Sequence, residues 1–192
     1  MSGTLRVIAG AFGGRTLKAP RGLATRPTSA RVREALFAVL GDLSGMRVLD
    51  LHAGSGALAI EALSRGASHA LLVEHDRAAV ACIRENLRAL GLDERAALLP
   101  RKIAAAAGEI AQRGPFDLIL CDPPWPELDR AVGELERLVA AGVLASDGRL
   151  SLEHAAKGPE PEIERLAAYD RRRWGDTGVS LFQAAPASGR QT

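Results

Sequence analysis

The residues able to do chemistry in this chain are a few acids, a glycine pair and one tryptophan. Asp122 ends the apolar run Phe116–Cys121 and is followed by Pro123, Pro124 and Trp125. Proline fixes φ and lacks an N–H, so its carbonyl can turn outward as an acceptor while the loop stays stiff. An Asp122 oxygen and the Pro123 carbonyl then aim two acceptors at one point. A group with two N–H donors fits there, such as the exocyclic amine of a base or an amide. Accepting both protons turns the nitrogen lone pair toward an electrophile, and orientation supplies much of the acceleration. Asp122 need not be a strong base, because the alkylated nitrogen is acidic and gives up its proton readily. Trp125 offers a planar face, and base stacking on an aromatic side chain is worth roughly 1–3 kcal/mol. A base must be unstacked to reach it. Plain turn chemistry, with Trp125 as a buried anchor, is the alternative for this stretch taken alone.

A second cluster lies earlier, in VLDLHAGSGALAIEAL. Gly54, Ser55 and Gly56 fall between an apolar strand and a helix, where glycines let a ligand approach the backbone and a helix N-terminus offers free N–H groups. Glu74, eighteen residues after Gly56, ends the next apolar run beside His75. Its carboxylate is placed to accept hydrogen bonds from both hydroxyls of a ribose, which makes the pair a nucleoside site. Gly54 to Ala59 also satisfy the dinucleotide fingerprint. Asp50 argues against a nicotinamide cofactor: an anion just ahead of the glycines repels a pyrophosphate and favours the sulfonium and ammonium of S-adenosyl-L-methionine. A purely structural glycine turn is the remaining alternative. His52, inside the loop, either lines the cofactor pocket or packs as a neutral ring.

These residues require a scaffold that collects strand ends. Short apolar strands (MRVLDL, HALLVE, AALLP, FDLILCD, GRLSLEH) alternate with helical stretches (GALAIEALSRG, DRAAVACIRENLRALG, KIAAAAGEIAQRG, LDRAVGELERLVAAG). That alternation predicts an α/β fold with a largely parallel sheet covered on both faces. Parallel strands bring their carboxyl ends to one edge, so Asp50, Glu74 and Asp122 should meet there. The runs ERLAAYDRRRWG and VSLFQ predict a closing antiparallel pair. At the front, LRVIAG and RTLKAP around a glycine turn predict a β-hairpin, and Val32, Ala35, Leu36, Val39 and Leu40 mark an amphipathic helix capped by Thr28 and stopped near Gly41. The organisation expected is a basic hairpin-and-loop appendage over 1–27, one catalytic domain over 28–185 and a polar tail over 186–192. No internal repeat is visible.

With 192 residues, 47% of them hydrophobic, the chain can bury a sizeable core. Cys82 and Cys121 lie in apolar stretches without metal-like spacing, and no targeting or membrane-spanning segment is visible, so a reduced, cytoplasmic protein without a metal is expected. Seven basic residues and no acid fall within positions 1–33: Arg6, Arg15, Lys18, Arg21, Arg26, Arg31 and Arg33. Since the whole chain carries +2, the remainder stands at −5. The front is therefore either a solvated charged face or a polyanion contact driven by counterion release.

The segments RVIAGAFGGRTLKAPRG, TRPTSARVREALF, VLDLHAGSGALAIEALSRGA, VEHDRAAVACIRENL, FDLILCDPPW and RRRWGDTGVSLF together resemble the bacterial small-subunit rRNA guanine-N2 methyltransferases over nearly the whole chain. The resemblance implies a class I methyltransferase (Rossmann-like) fold, with a seven-stranded mostly parallel sheet whose last strand is antiparallel. It implies S-adenosylmethionine held by Asp50, Gly54, Gly56 and Glu74, and a target amine held by Asp122, Pro123 and Trp125; His52, Ser55 and His75, beside these in sequence, are further cofactor-binding candidates. Arg26, Thr28 and Arg31 match the family's TRPT-to-ALF signature and are expected beside the active site, and Arg6 and Arg15 of the basic front join them as candidate RNA contacts; helix capping by Thr28 and solvation of the arginines are the alternative. The implied partner is 16S rRNA in an assembled or assembling 30S particle, met by a monomer. Three positions depart from the family pattern: His52 replaces an aromatic, Trp125 replaces Tyr or Phe, and Pro100-Arg101-Lys102 stands where an Asp or Asn often meets the adenine. A DNA or protein amino-methyltransferase and a non-catalytic RNA-binding module with the same fold are the competing readings.

Overall fold

The computed structural model describes residues 5–20 and 30–185. Seven strands form one sheet: β1 Arg47–Leu51, β2 His69–Val73, β3 Ala96–Leu99, β4 Phe116–Cys121, β5 Leu144–Ala155, β6 Leu166–Trp174 and β7 Thr177–Ala184. Their spatial order is β3-β2-β1-β4-β5-β7-β6. The first five pair in parallel, and β7 inserts antiparallel between β5 and β6. This is the expected fold, with the last strand reversed. The helices α1 Ala30–Leu40, α2 Ala57–Ser64, α3 Arg77–Leu90, α4 Ile103–Arg113 and α5 Leu128–Ala140 cover it.

Strand alternation sorts the core into two layers. Val48, Leu72, Leu118 and Leu120 pack with α1, α2 and α3, together with Val7 and Leu17 of the N-terminal segment. Leu49, Leu51, Leu71, Val73, Ile119 and Cys121 face the other way, toward Ile103, Ala106 and Ile110 of α4 and Ala131, Leu135 and Leu138 of α5. Both faces are buried, which is why these strands read as continuous apolar runs.

One boundary differs from the sequence expectation. β5 begins at Leu144, not near Gly148, and the pairings Phe116↔Leu144 and Leu118↔Arg149 leave three extra residues on the β5 side. The bulge absorbs Asp147 and Gly148, which read as a turn, without ending the pairing. Elsewhere the ends agree closely: α1 stops at Leu40, immediately before Gly41 with φ 70°. The proposed Thr28 cap lies outside the described residues.

The front segment forms a narrow hairpin, with a bridge between Arg6 and Thr16 and backbone bonds from Val7 to Arg15 and from Leu17 to Leu5. Helix α2 holds it. The Glu61 carboxylate accepts the N–H groups of Ile8 (2.7 Å) and Ala9 (3.1 Å), and Ser64 accepts those of Phe12 and Ala11 through Oγ and its carbonyl. At Gly10 any Cβ would stand 1.9 Å from the Ser64 carbonyl oxygen, so only glycine permits this approach. Arg33, almost fully buried on α1, donates to the Arg6 carbonyl and pairs with Glu61 at 3.9 Å. Burial lowers its pKa against the opposing pull of Glu61.

Candidate active site

Register places the three acids. Leu51 pairs with Val73 on one side and Cys121 on the other, so Glu74 and Asp122 follow at the same level and Asp50, level with Leu72 and Leu120, sits two residues below them. All three continue the even-numbered face that carries Val48, Leu72 and Leu120, the face covered by α2 and the hairpin. The sheet edge thus collects the predicted acids on a single side.

Asp50 is 1% exposed. Its Oδ2 accepts the Ala59 N–H at 3.0 Å in the first turn of α2, while Oδ1 is buried with no hydrogen-bond partner among the described residues. Burial pushes this carboxyl up to about 8, opposed by the Ala59 bond and reinforced by the charges of Asp122 and Glu74. Burial thus favours the neutral carboxyl in the free protein, and a cation or donor at Oδ1 would favour the charged form expected from sequence.

The loop after β1 is shaped by three left-handed residues, His52 (φ 58°), Gly54 (φ 57°) and Gly56 (φ 77°). The two glycines serve different ends. A Cβ on Gly56 would press on Leu72 at 3.1 Å and Ile83 at 3.4 Å, so this glycine permits helix-to-sheet packing. A Cβ on Gly54 would meet nothing closer than 3.9 Å, leaving the backbone open to a ligand. Ser55 points its carbonyl at Asn86 Nδ2 (3.0 Å), and Asn86 also exchanges bonds with both backbone groups of Lys18, tying the end of the hairpin to the loop.

Glu74 braces the same loop. Oε2 accepts the Gly54 N–H at 2.8 Å, and Oε1 accepts those of His75 (2.6 Å) and Asp76 (2.9 Å). A carboxylate offers about four acceptor positions, so one remains on Oε2 for a hydroxyl. The His75 side chain is half exposed, 3.6 Å from Glu74. A cleft lined by His52, Val73, Glu74, His75, Arg101, Lys102, Ile103 and Arg130 continues from here over the ends of β2 and β3. The Pro100-Arg101-Lys102 segment therefore borders the cleft, with Arg101 paired to Glu109 at 3.6 Å and Lys102 preceding α4.

At the end of β4, the Asp122 N–H points to the Leu51 carbonyl at 3.5 Å, Pro123 is buried and Pro124 is exposed. Trp125, half-buried, starts a single 3-10 turn that runs through Glu127 into α5. The strand stops because two prolines cannot extend the ladder. Cys121, fully buried behind the corner, has its thiol pKa raised by desolvation and then by Asp122, Asp50 and Glu134, so it is no nucleophile.

The basic candidates are spread more widely. Arg6 and Arg15 are exposed on the hairpin, and Arg31 is exposed at the start of α1. Arg26 and Thr28 lie outside the described residues. Residues that sequence reasoning missed are Glu61, Asn86 and Glu134, each buried and polar. Glu134 had a signal: it lies on the apolar stripe of α5 beside Ala131, Leu135 and Leu138.

Residues 5–183 match the model of a family described as "Conserved hypothetical protein 95". The chain belongs to this family. Among its relatives, YlbH of Bacillus subtilis (strain 168) is 36% identical over 182 residues, covering 93% of this chain and 98% of that protein. The Ribosomal RNA small subunit methyltransferase D of Escherichia coli (strain K12) is 35% identical over 187 residues, covering 95% and 91%. The solved structure of Escherichia coli yhhF superposes with a TM-score of 0.80 at 33% identity, covering 95% of this chain and 98% of that one. The family match spans hairpin, glycine loop and corner alike, so the hairpin belongs to the family's shared architecture.

Proposed function

We propose that the protein transfers a methyl group from S-adenosylmethionine to the exocyclic N2 amine of a guanine in 16S rRNA. The observation that carries this reading is the single-sided edge formed by Asp50, Glu74 and Asp122, beside a glycine loop open at Gly54. The E. coli relative named for small-subunit rRNA methylation supports the substrate class, and the base amine follows from the two-acceptor corner.

The residues present fit the cofactor. Asp50 Oδ1, buried and unmatched, would meet a cationic or donor group; Gly54 permits close approach; the open position on Glu74 Oε2 would take a ribose hydroxyl; Ile103 gives the neighbouring cleft an apolar wall. When bound, the sulfonium supplies an electrophilic methyl group and a neutral thioether as leaving group. Asp122 and the Pro123 carbonyl hold the two amine protons, leaving the nitrogen lone pair free, and Trp125 backs the unstacked base. Asp122, or water beside it, then takes the proton that the methylated nitrogen releases. Arg6, Arg15, Arg26 and Arg31 supply phosphate contacts, and Thr28 supports them.

Asp122→Asn tests the assignment. It should bind S-adenosylmethionine within about threefold of wild type while losing at least 100-fold in transfer, the range general-base and positioning effects reach. Transfer at wild-type rate in this variant would remove Asp122 from the reaction.

A further inference from the structure

Two buried polar atoms face each other across the base of the corner. His52 Nε2 lies 4.0 Å from Glu134 Oε2, the two side chains being 9% and 7% exposed. Neither atom has a hydrogen bond among the described residues. The separation is too long for one, yet each buried polar group is costly when unmatched. A shift of about 1 Å would satisfy both at ordinary hydrogen-bond length.

The two residues belong to the two halves of the site. His52 is part of the glycine loop and is held at φ 58°, a left-handed conformation uncommon outside glycine. Glu134 sits on α5, the helix that grows directly out of the Asp122–Trp125 corner. Glu134 Oε1 is engaged with Arg130 Nε at 3.8 Å, which leaves Oε2 as the atom turned to His52. Other charged groups around the ring are Glu74 and His75 behind β2, and Glu127 and Arg130 at the start of α5. An apolar ring at position 52 would pack here but could not donate, and a carboxylate on the apolar stripe of α5 would then face nothing.

We propose that His52 and Glu134 form a latch, closed by cofactor binding, in which the imidazole Nε2–H donates to the Glu134 carboxylate and seats α5 and the catalytic corner against the cofactor loop. Both are positioning residues, and the inference rests on the methyl-transfer reading of this edge. In the open form burial holds the ring below the ordinary histidine range. Closure places the ring against a carboxylate, which favours its charged form, so closure and proton uptake by His52 are linked.

The test is NMR titration of the histidine rings with and without saturating S-adenosylhomocysteine, a neutral thioether that adds no sulfonium charge of its own. The chain has four histidines, and a folded H52F variant assigns the signal. In wild type the His52 midpoint should rise by one pH unit or more when the ligand is bound, a tenfold change in proton affinity. In E134Q, which keeps size and an acceptor but no charge, that rise should vanish while ligand still binds. An unmoved or lowered midpoint in ligand-bound wild type, or an equal rise in E134Q, overturns the latch. Absence of any ligand binding is a different result and overturns the cofactor reading, and the latch with it.

Discussion

Asp50→Asn is the substitution that separates the electrostatics of this site from its shape. The side chain keeps its size, and its carbonyl oxygen can still accept the Ala59 N–H that Asp50 takes at 3.0 Å. Only the titration is removed. With a native value of about 8 against an ordinary 3.8, Asp50 stays protonated in the free protein where the unfolded chain is ionised. The native state then binds more protons than the unfolded state between those values, so stability falls as pH rises through that window. At 1.36 kcal/mol per unit, the loss between pH 4 and pH 7 is on the order of 4 kcal/mol. Asp50→Asn should flatten that slope, measured by urea unfolding at several pH values. Binding gives the complementary result. If a cationic cofactor meets ionised Asp50, association releases a proton below pH 8, and affinity should climb up to tenfold per pH unit from 6 to 8 and then level off. Calorimetric titration with S-adenosylmethionine should show that climb in wild type, whereas Asp50→Asn should bind more weakly at pH 8 and show no climb, leaving only the opposite fall in affinity with pH that proton uptake at His52 brings. A wild-type affinity flat across this range, or a variant that binds as tightly at pH 8, would refute the role given to Asp50.

Two further outcomes follow from the geometry. Glu61→Ala strips the hairpin of its carboxylate anchor and leaves Arg33 buried without a counter-charge, so it should cost about 3–5 kcal/mol in denaturant unfolding, and a loss below about 1 kcal/mol would contradict the anchoring described for the hairpin. Gly54→Ala and Gly56→Ala should behave differently although both positions are left-handed, a conformation costing alanine roughly 1–2 kcal/mol. Gly54→Ala should lose cofactor affinity beyond that strain, whereas Gly56→Ala, crowded by Leu72 and Ile83, should lose mainly stability; equal effects on both quantities would remove the distinction.

The alternating strands and helices were legible because both sheet faces are buried and leave long apolar runs, and strand ends agreed to within two residues except at β5. There a bulge hides the first part of the strand, and Asp147-Gly148 reads as a turn when pairing with β4 continues past it. Asp50, Glu74 and Asp122 were found because parallel register forces their strand ends to one edge. The burial of Asp50 and Glu74 was not found, since solvation of a carboxyl depends on what covers it, and Asp50 lies beneath α2. Glu61 and Asn86 escaped for the same reason: each sits in a helix that looks ordinary, and each owes its role to a hairpin more than 50 positions away in sequence. The departure at His52 was visible at once, but its meaning needed Glu134 opposite it.

The central claim is tested most directly by transfer of a labelled methyl group from S-adenosylmethionine to 30S particles and to naked 16S rRNA, followed by nucleoside analysis. The account predicts label in N2-methylguanosine in at least one substrate, and none with Asp122→Asn. Label confined to another nucleoside or to protein, or no incorporation into either substrate, would contradict it.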